Sequence, residues 1–345
     1  GDTALVGSTW LEPGGPALLA AVDLTDPTAP RLSGTVECAA ADVTLSGGVA
    51  VASIQASGRA LVLDLRDPGA PSVAATMDRT GAAMDMAIAG EHAYVADRGF
   101  GLRIHGVDPA SWTGESGAIA LPVARAVGAF EDLAVVVGTV IGEGAGQGVS
   151  GTLAVVDVSD PAAPTLHGVI ESAGEYFEDV ALLGDHVLVV GQTYKTGSAA
   201  VLRVYDLTDP SAPNEVAALD LSETGADLTL TVEGTRAYVM AALGPDWPGG
   251  VLIVELSEPG SPREVGRVAG VNASSIAVDG HLLYVTEWLT ESGIEYATSL
   301  IVYDVVDPTR PTRLGSYTWR REHEHPEAGT VMSESYQSSV SVCDG

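Results

Sequence analysis

The stretch Arg320-Arg321-Glu322-His323-Glu324-His325-Pro326-Glu327 gathers the side chains best suited to metal chemistry. On an extended chain, residues two apart project to one side, so His323 and His325 could present their imidazoles together. With a carboxylate such as Glu324 they would form a nitrogen and oxygen set for zinc or another transition metal. Such a centre, with Arg320 beside it, would suit a metal-assisted lyase or hydrolase. The His-Glu-x-x-His spacing of helical zinc sites is absent. A solvated, charged surface connector accounts for the same residues.

A second set is acidic. Asp42, Asp85 and Asp179 each stand at the head of an apolar segment, with Asp227, Ser275 and Ser339 at corresponding places. Arranged around a central channel they could hold a hard cation such as calcium, which needs several oxygens. Alternatively each carboxylate caps backbone N–H groups of a neighbouring strand or connector. A third set is aromatic: Trp10, Tyr194, Trp247, Trp288, Tyr296 and Trp319 fall in segments between apolar runs. Aromatic rings collected on one face would bind a protein, peptide or glycan. The alternative is that each ring packs beneath its own loop. Other catalytic signatures are missing. No Gly-x-Ser-x-Gly elbow occurs, and the Gly-rich run 142–148 lies between two strand-like segments, so it reads as a hairpin tip and not a phosphate loop.

These residues hang on a repeat. The pattern D-[LV]-x-D-P-x-x-P begins at Asp23, Asp64, Asp157, Asp206 and Asp304, in a softened form at Glu255 and in a decayed form at His105. The spacings run from 41 to 52 residues, a period that marks a repeat architecture. A short β-branched run precedes each pattern, as in Leu153-Ala154-Val155-Val156, and a second strand follows it. A further strand–turn–strand unit closes each repeat, with Gly90, Gly184, Gly234 or Gly280 in the turn. Four antiparallel strands per repeat, seven times over, predict an all-β seven-bladed β-propeller. The predicted domain is single and spans residues 1–345. Blade 1 combines about residues 1–38 with the closing strand at 337–345, which hides the edges that an open sheet would expose.

The Leu-Val-Leu-Asp, Ala-Val-Val-Asp and Leu-Ile-Val-Tyr-Asp runs ending at Asp64, Asp157 and Asp304, each leading into Asp-Pro-x-x-Pro, resemble the LVIVD-repeat propellers. The resemblance implies a bacterial or archaeal surface or secreted protein. It implies no defined reaction and no catalytic residues. Blade 3 departs from the pattern, since His105 replaces the first Asp and the second Pro is lost.

Composition narrows the partners. Formal net charge is −30, Lys195 is the sole lysine and aromatics make up 5 %. Such acidity repels phosphate backbones, so nucleic acid and anionic membranes are poor partners, while basic proteins and divalent cations are better ones. No apolar run is long enough to span a bilayer. The chain opens in mid-blade and without Met, as expected of a mature or excised form. Cys38 and Cys343 map to opposite edges of blade 1, too far apart to bridge. The resulting expectation is a non-catalytic, secreted or cell-surface binding or scaffold propeller acting through its top-face loops. A metal-dependent lyase or hydrolase and a self-assembling surface protein are the alternatives.

Overall fold

The computed structural model describes residues 2–8, 18–38, 40–54, 58–77, 81–108, 114–142, 148–193, 199–221, 227–241, 249–291, 294–320 and 338–343. Its strands form seven four-stranded antiparallel sheets, set as blades around a channel. The innermost strands are Asp42–Ser46, Ala83–Ala89, Ala126–Phe130, Glu175–Leu183, Thr229–Glu233 and Ala273–Asp279, in blades 2 to 7. In blade 1 that place is taken by Ser338–Cys343, which pairs with Thr3–Ser8 in the register Val6↔Val340. The ring therefore closes as the repeat phase at the two termini predicts.

Apolar side chains meet between blades. The buried residues fall into seven clusters, each shared by two neighbouring blades. One runs from Leu188 and Leu202 of blade 5 to Leu230 and Val239 of blade 6. Small β-branched side chains suit this flat stacking of sheets.

One face of the ring is uniform. The turns between first and second strands are two residues long and open on a residue of positive φ: Gly47 (55°), Gly90 (57°), Glu131 (51°), Gly184 (55°), Gly234 (59°) and Gly280 (56°). That is the backbone a tight hairpin requires. The same face carries the repeat signature. In blade 5, Asp206 accepts from Thr208 N at 2.7 Å and Asp209 accepts from Ser211 N at 3.0 Å, and blades 1, 2, 4 and 7 repeat the pair. Each first carboxylate fixes the strand end, and each second one fixes the turn that carries the proline.

The signature also docks onto the preceding blade. A Cβ added to Gly34 of blade 1 would lie 2.6 Å from Pro68 O of blade 2, and one on Gly168 of blade 4 would lie 2.6 Å from Pro210 O of blade 5. Gly117, Gly266 and Gly315 meet Pro161, Pro308 and Pro27 in the same way. Where the next blade carries the decayed or softened signature, Ala75 and Ala217 occupy this register position, opposite Val62 and Val204. The glycine is required by close approach of a neighbouring backbone.

Candidate functional site

The innermost strands enclose a channel of about 660 Å³. Its upper half is built by the first residues of these strands. Asp85 accepts from its own Met86 N at 2.8 Å and from Val127 N of blade 4 at 2.7 Å. Asp179 accepts from Val180 N at 2.7 Å and from Leu230 N of blade 6 at 2.6 Å. Asp42 stands close to Asp85 and to Met86 of blade 3, which act on its carboxyl. Asp85 and Asp179 therefore each pin their own strand start and the innermost strand of the next blade. A serine does the same at the blade 7–blade 1 seam, where Ser275 Oγ accepts from Val340 N at 3.1 Å. Ser341 Oγ accepts from Leu45 N at the next seam, at 3.0 Å.

The pattern breaks in blade 4, where Ala126 takes the aspartate's place. Thr139 of that blade ties the seam instead, accepting from Phe177 N at 3.0 Å. In blade 6, Thr229 holds the corresponding position, and Asp227 stands two residues earlier in the left-handed region (φ 58°). That conformation suits Asp, and it separates Asp227 from the other three acids.

Electrostatics follow from this crowding. Protein surrounds the three carboxyls, and each of the three residues is only partly exposed to the channel. Burial pushes Asp42 up to about 6 and Asp179 up to about 7. Asp85 is raised well above the usual carboxylate range, first by burial and then by the charges of Asp42 and Asp179. Among the described residues no group of three or more His, Cys, Asp or Glu is arranged to hold a metal ion. The oxygens of Asp42, Asp85 and Asp179 are committed to backbone N–H groups.

At the upper rim stand Arg125, Tyr176 and Glu178. Arg125 Nη1 donates to Tyr176 Oη at 3.2 Å, and the guanidinium lies 5.3 Å from that ring's centroid. Glu178 lies 4.0 Å from Arg125 Nη2. It accepts from Leu228 N at 2.8 Å and from Gln192 Nε2 at 2.9 Å. Burial raises its pKa against those bonds. Two further buried acids serve as braces within single blades. Asp97 accepts from Arg103 Nε at 2.9 Å and from Gly81 N at 2.6 Å, and Glu175 pairs with Arg203.

The remaining sequence candidates are placed as follows. Trp319 lies in the outermost strand of blade 7, Thr312–Arg320, and not in a connector; the blade's strands run further than their apolar cores suggest. It packs against the blade 7–blade 1 cluster and meets Tyr317 edge-on at 4.8 Å. Trp288 and Tyr296 lie in the extended strands Leu282–Glu291 and Ile294–Asp304. Trp10, Tyr194, Trp247, His323, Glu324 and His325 lie outside the described residues. Cys38 is a buried free thiol, raised to about 11 by burial. Sequence reasoning missed Arg125 and Glu178. The signal for both was position, one residue before the strand-head site.

Comparison with known families matches the LVIVD repeat at residues 80–108, 148–171 and 230–270. No curated protein matches the chain. Among solved structures, it is similar to a hypothetical selenium-binding protein from Sulfolobus tokodaii (TM-score 0.65, 11 % identity, 98 % of this chain and 93 % of that one). It is also similar to a functionally unknown protein from Desulfotomaculum acetoxidans (0.62, 12 %, 93 % and 100 %). A third is apo AztD from Citrobacter koseri (0.60, 12 %, 98 % and 97 %). At such identities the likeness concerns the fold alone. The chain carries matches to the LVIVD repeat on a closed ring of seven four-stranded blades, an architecture consistent with the LVIVD-repeat propeller family.

Proposed function

We propose that the ring is a non-catalytic binding module, secreted or displayed at a cell surface, that engages a protein, peptide or glycan through its upper face. The observation that carries this reading is the contrast between the two faces. Below, two-residue turns and the repeated signature vary little. Above, the gaps between second and third strands range from nine residues (9–17) to two (292–293), and in blade 7 the flanking strands lengthen to 10 and 11 residues. Length variation confined to one face of a repeat scaffold is where recognition is grafted. The channel aspartates favour the same reading, because their oxygens hold blades together and are not gathered for catalysis.

The test uses Trp247→Ala and Trp288→Ala, singly and together, on peptide and glycan arrays, with calorimetric melting in parallel. The reading expects about a tenfold or greater loss of the wild-type signal, with Tm held within about 1 °C. A wild-type ring that binds nothing on either array would overturn it. So would binding that survives both substitutions while Tm falls.

A further inference from the structure

Blades 4 and 5 leave a pocket at their seam on the lower face. Its cavity is about 110 Å³. A site for a whole small molecule offers roughly 300–1,000 Å³, so this one suits a single side chain. Its walls are apolar. Phe130 and Leu133 come from the first hairpin of blade 4, and Leu182 and Leu207 come from blade 5. Leu182 lies over Gly128 of blade 4, where an added Cβ would collide with its Cδ1. Phe130 is unusual for its position. The other blades place Ser46, Ala89, Leu183, Glu233 and Asp279 at the same register position beside the turn. The chain has three phenylalanines. Phe177 is buried, Phe100 is 37 % exposed and Phe130 is 50 % exposed. Phe100 already carries a cation, since the Arg103 guanidinium lies 4.3 Å from its ring centroid. Phe130 has no such partner among the described residues.

The rim of this apolar pocket identifies its occupant. Glu131, Asp132 and Asp185 line it, and no Lys or Arg does. All three acids are exposed. Among the described residues no hydrogen bond or ion pair holds their carboxylates. The signature carboxylates of the same face differ, because backbone N–H groups of their own turns take them up. The blade 4 turn also opens on Glu131 at φ 51°, where five other turns open on Gly. A glutamate in that region is less stable than a glycine, so the carboxylate stands at the rim against local stability. An arginine side chain matches each part of the pocket. Its guanidinium stacks on an aromatic face and forks onto carboxylates. Its aliphatic stem packs along leucines, and its charge complements a chain of net charge −30.

We propose that the lower-face pocket between blades 4 and 5 receives an arginine side chain of a partner protein, its guanidinium on the Phe130 ring and against the Asp132 and Asp185 carboxylates. These groups border one cavity of side-chain size, so a single guanidinium reaches them. The site lies on the opposite face from the upper loops and does not depend on recognition there.

The probe is a fluorescein-labelled Gly-Arg-Gly-Arg-Gly peptide, titrated with the whole chain by fluorescence anisotropy. Salt is held at about 150 mM, where long-range attraction between exposed charges is largely screened. Wild type should bind this peptide about threefold or more tighter than its lysine counterpart, which keeps the charge but not the planar fork. Phe130→Ala should weaken the arginine peptide by about fivefold. If that variant does not fold, Phe130→Leu, which keeps apolar volume without a ring face, should still cost about threefold. Asp132→Asn should cost about threefold. Glu91→Gln removes an exposed charge at the same turn position in blade 3 and should leave binding within about twofold. Glu131→Gly should weaken binding while Tm stays level or rises, a pairing that a purely structural role would not produce. Trp288→Ala should leave peptide binding intact, so failure here is distinct from failure of the upper-face reading. The proposal falls if wild type does not bind the arginine peptide or if the lysine peptide binds as tightly. It also falls if both Phe130 variants bind like wild type, or if Glu91→Gln costs as much as Asp132→Asn.

Discussion

Replacing Gly34 by Ala isolates the seam between blades 1 and 2. The new Cβ would stand 2.6 Å from Pro68 O, 2.6 Å from Pro71 Cδ and 2.9 Å from Gly69 O, well inside ordinary contact at about 3.5 Å. Two of these atoms are backbone oxygens and the third belongs to a rigid ring, so no side chain can swing away. Overpacking of this kind costs about 1–3 kcal/mol. Against it, alanine in a strand removes chain entropy from the unfolded state, worth about 0.5–1 kcal/mol. A net loss of about 1–2 kcal/mol remains. For 345 residues the unfolding entropy is about 0.7 kcal/mol/K, so Tm should fall by about 2 °C. The control is Gly148→Ala, whose Cβ would meet nothing within 4 Å; its Tm should stay level or rise. Differential scanning calorimetry on both variants decides the matter. If Gly34→Ala melts with or above Gly148→Ala, the signature does not dock on this glycine. Ala75 and Ala217 in the other two seams would then be coincidence.

The channel carboxyls make a pH prediction. Asp42 and Asp179 sit near 6 and 7 in the folded ring, against about 3.9 in an unfolded chain. The fold therefore holds protons that the unfolded chain has released, and their contribution declines as pH rises from about 4 to about 7. The signature acids act oppositely: Asp64 is lowered to about 2 by its Arg66 partner, so its contribution is lost as pH falls below about 4. Tm measured from pH 3 to 9 should peak in the mildly acidic range, and Asp42→Asn with Asp179→Asn should flatten the alkaline decline; an unchanged slope would refute the assignment. Glu175→Ala leaves Arg203 buried at 13 % side-chain exposure with the half-exposed Glu215 as its remaining acid. About 3 kcal/mol should be lost in urea titration, and a loss under about 1 kcal/mol would show that Glu215 suffices.

Much of the ring was legible because it is written locally. A β-branched run ending in Asp and Pro is a strand and its stop, whatever lies across from it. The bottom-turn glycines announced themselves in the same way, and the phase of the two termini announced closure. What was hidden depends on neighbours about a blade apart in sequence. Asp85 looks like any strand-head acid until Val127 is seen to donate to it. Gly34 looks like a weak point in a strand until Pro68 of the next blade is placed above it. Residue type misleads in blade 6: Asp227 heads its segment like the other acids, but it stands seven residues before its turn glycine where they stand five, which leaves Thr229 in their place. Trp319 falls between apolar runs in the sequence, yet it belongs to a strand, because that strand continues past the apolar residues that define the others.

The central claim is that the channel aspartates are seam clamps in a binding ring and not ligands of a resident metal. Elemental analysis of untagged protein purified without chelator, with Tm taken before and after EDTA, tests it directly. The account predicts no stoichiometric metal and an unchanged Tm. One bound calcium with a large fall in Tm after EDTA would contradict it by making Asp42, Asp85 and Asp179 a cation site. One bound transition metal, lost on replacing His325, would contradict the non-catalytic reading.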